Sequence, residues 1–288
     1  MDLDDYQARA KRTDITSDDD EVFALGLIGE VGSVASALKK ARRAKKSASD
    51  LNSYRAELKE ELGDALWYVA AIASAYNLKL SDIGADNLSK AADYFGPPVS
   101  GLLDEQATTD EQLPRLMRVE FDLLNTGRVR ITVNGEVAGD DLNSASTVED
   151  NYKYHDIFHF ALAAKLGWSP VIRDLLRPKR KRRDENGENI PDDAARARIL
   201  EEGIAAMLFG PAEVCNWYAT PDDIPLRLSE LIKRITRDFE VRVRRIPEWQ
   251  DAICTGFAAF REIEGARRAI VLVDLENRSL KVESVTRP

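Results

Sequence analysis

Cysteine and histidine are scarce in this chain, with two of each in 288 residues. Cys215 and Cys254 lie far apart in helix-like contexts, which argues against a disulfide framework and for a reduced, cytoplasmic setting. No run approaches the roughly 18 consecutive apolar residues that a membrane helix needs. The opening MDLDDYQARAK lacks the charged-then-apolar pattern of an export signal. Repeats at solenoid periods are missing too, as are low-complexity tracts beyond one basic run.

What is present is a globular composition. At 44% hydrophobic and 32% charged residues the chain falls outside the disordered class, and its length suits two modules. The net charge is −9, yet basic residues are bunched at Lys39–Lys46 (KKARRAKK) and Arg177–Arg183 (RPKRKRR). An acidic chain is a poor nonspecific partner for nucleic acid. Local basic runs remain compatible with phosphate ligands or with solvated helix ends.

Periodicity predicts a mainly α protein. Residues 1–96 read as all-helical, with apolar positions at helical spacing in FALGLIGEVGSVASAL and LGDALWYVAAIASAY. A shorter helix follows with Ser81 as its expected N-cap, and Gly96-Pro97-Pro98 stops it. Residues 97–112, rich in turn formers, read as a linker. Residues 113–288 read as an α+β module with short hairpins. One is expected at Arg128–Val137 around an Asn-Gly pair, and another at the C-terminal end about a turn near Glu276-Asn277. Helices are expected at Asp150–Leu166, Ala194–Phe209, Pro225–Phe239 and Glu248–Glu264.

The chemistry-bearing pattern of the first module is acidic. Glu30 rides on a helix with Leu27, Ile28, Val31, Val34 and Leu38, while Glu61 and Asp64, three apart, share one face of the next. Carboxylates bordering an apolar stripe are costly unless compensated, and a hard divalent cation such as Mg²⁺ compensates them. Acid pairs at this spacing are also common on ordinary helix surfaces. Gly63, between the two acids, and Gly26, Gly29 and Gly32, around Glu30, each cost helix stability and suggest close approach of a neighbour or ligand.

The runs GLIGEVGSVASALKK and KEELGDALWYVAAIA resemble the MazG-like family of all-α NTP pyrophosphatases. DDYQARAKRT is similar to that family's opening helix, and DIGADNLSKAADYF to the helix bearing its Asn-x-x-Lys, so the likeness covers roughly residues 3–96. The resemblance implies that Glu30, Glu61 and Asp64 hold Mg²⁺, or Mn²⁺ in its place, and hydrolyse a nucleoside triphosphate to a monophosphate and pyrophosphate. It implies nucleotide contacts by Asn87, Lys90 and Gln7, and a homodimer. Lys39 stands open between pairing with a phosphate and lying on a solvated helix end. Trp67 stands open between stacking on a base and filling the core. One departure is clear: where the family carries its second acid, this chain has Ser33. Glu57 or Glu60 could take that place.

The second module holds both histidines, His155 and His159, four apart and hence on one helical face, with Asp156 beside the first. That is a metal-ligand spacing, which Glu201 or Glu202 could complete; a structural histidine pair fits as well. The stretch from Gly139 to Lys181 resembles the C-terminal domain attached to some MazG-like proteins. Three readings follow. The first is a nucleotide pyrophosphatase. The second is a catalytically weak or inactive nucleotide sensor with the C-terminal module as effector, and the third, disfavoured by the charge, is a nucleic-acid binder.

Overall fold

A computed structural model describes residues 1–15, 20–43, 48–144, 150–176, 192 and 195–288. The basic run Arg177–Arg183 and the end of the run Lys39–Lys46 lie outside these residues. The chain is mainly helical and divides into two compact units, Met1–Ala91 and Ala92–Pro288.

The first unit is built from α1 (Leu3–Lys11), α2 (Asp20–Arg43), α3 (Ala48–Ala75) and most of α4 (Leu80–Phe95). Its core is small because its buried residues are small: Ala10, Ala70 and Ala73 pack with Leu80, flanked by Tyr6, Trp67 and Val69. Alanines let helix axes approach closely but remove little apolar area from water. At Gly26 the approach is closest, since a Cβ there would stand 2.2 Å from the ring of Tyr68. Gly29, Gly32 and Gly63 instead face open space, so close packing accounts for only one of the four glycines around the acids.

α1 holds the start of α4. The Leu80 N–H donates to Gln7 Oε1 (2.9 Å) and the Ser81 N–H to Asp4 Oδ1 (3.0 Å). These are orphan donors of a helix's first turn, satisfied by another helix rather than by a local cap. Ser81 is accordingly not the N-cap expected of it: it lies inside the first turn, and its hydroxyl donates to Asp4 Oδ2. By length and composition alone α2 is apolar enough to cross a membrane, although Glu30 interrupts its apolar run. Its apolarity comes from two faces. One packs on α3 through Phe23 and Ala37, and the other exposes Leu25, Ile28, Val31 and Leu38.

The second unit carries an antiparallel sheet in the order β3-β2-β1-β4-β5, from β1 (Leu116–Leu123), β2 (Val129–Val133), β3 (Glu136–Val137), β4 (Arg268–Asp274) and β5 (Ser279–Thr286). Asn134 and Gly135, both at positive φ (50° and 90°), make the tight β2–β3 turn that the Asn-Gly pair predicts. β4 and β5 form the expected C-terminal hairpin. The central strand β1 lies outside the elements expected from the sequence, although its alternation is plain: Met117, Val119 and Phe121 are buried, and Arg118 and Asp122 point outward. α5 (Asp156–Leu166) lies against the sheet and is buried almost all round. One side meets the sheet core through Ile157 and Phe160. The other meets a second core through Phe158, Leu162 and Leu166, with Ile204 and Leu208 of α7 (Ala195–Phe209) and Trp249 and Phe257 of α9 (Ile246–Ile263). A short α6 (Pro170–Leu176) and α8 (Leu226–Ile235) complete the layer. α5 starts later than its periodicity predicts, because Asn151 adopts a left-handed φ of 58° and a single 3₁₀ turn intervenes.

Within residues 97–112, read from the sequence as a linker, the backbone is held by buried side chains of the second unit. Buried Arg244 donates to the carbonyls of Leu166 (2.8 Å) and Gly101 (2.6 Å). Buried Asp104 accepts from Leu113 N–H and pairs with Arg115 and Arg173. The segment is thus pinned into the second unit by charged groups that would be costly to leave unpaired.

Packing between α5 and α9 turns on Gly256, where a Cβ would stand 2.6 Å from Phe158 Cδ2. Gly256→Val is expected to destabilise the protein by roughly 1–3 kcal/mol through overpacking. At Gly203 on α7 a Cβ meets nothing within 4 Å. Gly203→Ala is therefore expected to stabilise by up to about 1 kcal/mol through helix propensity. Chemical denaturation of the two variants should shift in opposite directions.

Candidate functional site

The α2–α3 pairing converges three carboxylates. One oxygen each from Glu30, Glu61 and Asp64 can be chosen so that all lie within 4.8 Å of one another. Glu30 and Glu61 are half-buried and Asp64 is exposed, so the group opens to solvent on the Asp64 side. Three acids this close repel unless a cation lies among them, and the donor set suits a hard divalent ion. Glu57 and Glu60 do not join the group. Glu57 pairs with Lys40 at 2.7 Å, and Glu60 points to solvent. Ser33 is half-buried on α2.

Two neighbours of the acids were not legible in the sequence. Lys40, rather than Lys39, pairs with Glu57 one turn before Glu61: that hydrogen bond raises its pKa, and Glu61 adds to the effect. Tyr6 approaches from α1, and burial, then the Asp64 carboxylate, push its hydroxyl upward. Lys39, Asn87 and Lys90 are exposed, the last two one turn apart on α4. Gln7 spends both ends of its carboxamide on structure, donating to Ser74 Oγ (3.1 Å) and the Leu78 carbonyl (2.8 Å) and accepting from Leu80. Trp67 also behaves as a packing residue. Its ring meets Phe23 and Tyr68 edge-on, and its indole N–H donates to Thr13.

In the second unit, α5 and α7 bring His155, His159 and Glu202 together, again with ligating atoms within 4.8 Å. Asp156 Oδ1 flanks them, 3.2 Å from His155 Nε2. Glu201, adjacent in sequence to Glu202, points the other way into the core. There it accepts from His159 Nδ1 (2.9 Å), Ser169 Oγ (2.7 Å) and the Val171 N–H (2.8 Å). Burial opposes charge on His159, but the flanking Glu201 and Glu202 carboxylates outweigh it and push its pKa up, so a cation at Nε2 would take the place of the proton these carboxylates favour there. His155 differs: burial pushes its pKa down, and Tyr152 stacks on its ring at 4.1 Å. The i, i+4 spacing announced the histidine pair. The division of labour between Glu201 and Glu202 shows only in the packing of α7.

Glu201→Ala would leave three buried donors facing an empty site. It is expected to cost roughly 3–5 kcal/mol, the range for breaking a buried charged pair, measured by urea unfolding. Glu202 is half-exposed, so Glu202→Gln should change stability far less.

Comparison with known proteins agrees with both units. The model of the MazG nucleotide pyrophosphohydrolase domain matches residues 19–93, and that of the MazG C-terminal domain matches residues 99–286. Among curated proteins, the Gene 37 protein of Mycobacterium phage L5 is 37% identical over 98 residues, covering 31% of this chain and 85% of that protein. No solved structure matches. With one match over the acidic helices and the other over most of the second unit, this chain belongs to the MazG family, as a MazG nucleotide pyrophosphohydrolase domain followed by a MazG C-terminal domain.

Proposed function

We propose that the first unit hydrolyses a nucleoside triphosphate to a nucleoside monophosphate and pyrophosphate, using Mg²⁺ held by Glu30, Glu61 and Asp64. The observation that carries this reading is the convergence of those three side chains within 4.8 Å in a chain of this family. When bound, the ion supplies positive charge to the phosphate oxygens and acidifies water. Water attacks the α-phosphorus, the bond to the α–β bridging oxygen breaks, and pyrophosphate leaves. Mn²⁺ has compatible ligand preferences. Lys40, already beside Glu57 and Glu61, offers positive charge at the rim of the group. Asn87 and Lys90 provide an exposed polar pair for the nucleotide on α4.

The exposed face of α2 supports a second part of this reading, a homodimer. Leu25, Ile28 and Val31 are exposed on the same helix as Gly29 and Gly32, at which an added Cβ would meet nothing. A row of apolar and small residues turned away from its own unit suits close packing against a second copy.

Ser33 favours the alternative of a nucleotide sensor, because a hydroxyl adds no charge where the family carries its second acid. Incubation with each NTP and dNTP plus Mg²⁺ separates the two. The enzyme reading expects pyrophosphate release that falls at least about 100-fold in Glu61→Ala, roughly 2.7 kcal/mol of barrier. Nucleotide binding without release would overturn it in favour of the sensor. Ser33→Glu is expected to tighten Mg²⁺ binding, read by calorimetry. For the dimer, light scattering should give twice the chain mass for the native protein and the chain mass for Ile28→Asp.

A further inference from the structure

We propose that His155, His159 and Glu202 of the second unit bind one borderline divalent transition metal of the Zn²⁺ or Co²⁺ type, with a coordination position open to solvent. The site is separate from the carboxylates of the first unit and different in chemistry.

Three observations converge on it. The first is an unused nitrogen. His159 is fully buried, and its Nε2 makes no hydrogen bond among the described residues. The nearest acceptor, Glu202 Oε2, stands at 3.4 Å without hydrogen-bond alignment. A buried polar atom left without a partner costs on the order of 1–3 kcal/mol, so its retention calls for an explanation.

The second is that both rings are fixed with Nε2 facing the cluster. The Tyr152 carbonyl, 2.9 Å from His155 Nδ1, can only accept, so that nitrogen carries the proton. Glu201 plays the same part at His159 Nδ1, and is itself held by Ser169 Oγ and the Val171 N–H. A carboxylate or carbonyl behind a ligating histidine is the usual support of a metal site, setting the tautomer and the ring angle. Here both histidines have one.

The third is spacing. Metal–ligand bonds of about 2.0–2.1 Å at tetrahedral angles put donors roughly 3.3–3.4 Å apart. Glu202 Oε2 stands 3.4 Å from His159 Nε2 and 3.9 Å from His155 Nε2, so closure on an ion needs only side-chain adjustment. Two imidazoles and one carboxylate select borderline transition metals over Mg²⁺ or Ca²⁺. Three protein ligands leave a fourth position, and half-exposed Glu202 turns that position toward solvent.

The test uses the full chain, stripped with a chelator and titrated with Co²⁺ in excess Mg²⁺, which occupies hard carboxylate sites. One equivalent of Co²⁺ should bind and develop ligand-field absorption, and Zn²⁺ should displace it. Glu202→Gln and His159→Ala should lose the band, whereas Glu61→Ala should keep it. Glu201→Gln should retain the band with affinity about 10–100-fold weaker. Wild-type protein that takes up no Co²⁺ overturns the proposal. So does a Glu202→Gln variant that keeps both the native thermal transition and full Co²⁺ binding. Because Glu202 is half-exposed, that variant reports on the metal rather than on folding.

Discussion

The second unit is organised around one buried negative charge. Glu201 is wholly excluded from solvent, and its two oxygens collect a histidine of α5, a serine hydroxyl, and the backbone N–H of Val171 in α6. A carboxylate in such a place is tolerable only when both of its oxygens are hydrogen-bonded. The requirement sets the relative positions of three helices more narrowly than apolar contact would, since Leu, Phe and Ala tolerate sliding and a three-way hydrogen-bonded charge does not. The same logic recurs at Asp104 with Arg115 and Arg173, and at Arg244 with the carbonyls of residues 99, 101 and 166. A segment that looks like a linker is thereby made part of the domain.

The first unit is organised by the opposite means. Its interior is mostly alanine, and charge gathers at the edge of the α2–α3 contact instead of inside it. Such a layer brings carboxylates close because small side chains let the helices close up. The cost is a thin core and an exposed apolar face on α2. Site and exposed face are two consequences of one composition.

Much of the fold is legible in the sequence. Helical periodicity and the Asn-Gly turn predicted most of α1–α5, α7–α9 and the hairpins, because those signals are local. Strand β1, which joins β2 to β4, carries its alternation in the sequence without a turn signal to frame it. The helix cap at Ser81 failed for an informative reason. The orphan N–H groups of α4 are satisfied by Asp4 and Gln7, more than seventy positions earlier, and no local pattern reports that.

The sequence by itself determined which residue types were available for chemistry and on which helical faces they lie: Glu61 with Asp64, and His155 with His159. Periodicity is a property of the backbone, and it needs no tertiary contact. Only the tertiary structure decided which faces meet. It brought Glu30 to Glu61 across a helix pair, paired Lys40 rather than Lys39 with Glu57, and turned Glu201 inward while leaving Glu202 at the surface. Adjacent residues on a helix point about 100° apart, so which of two neighbouring glutamates is buried depends on the helices packed against them.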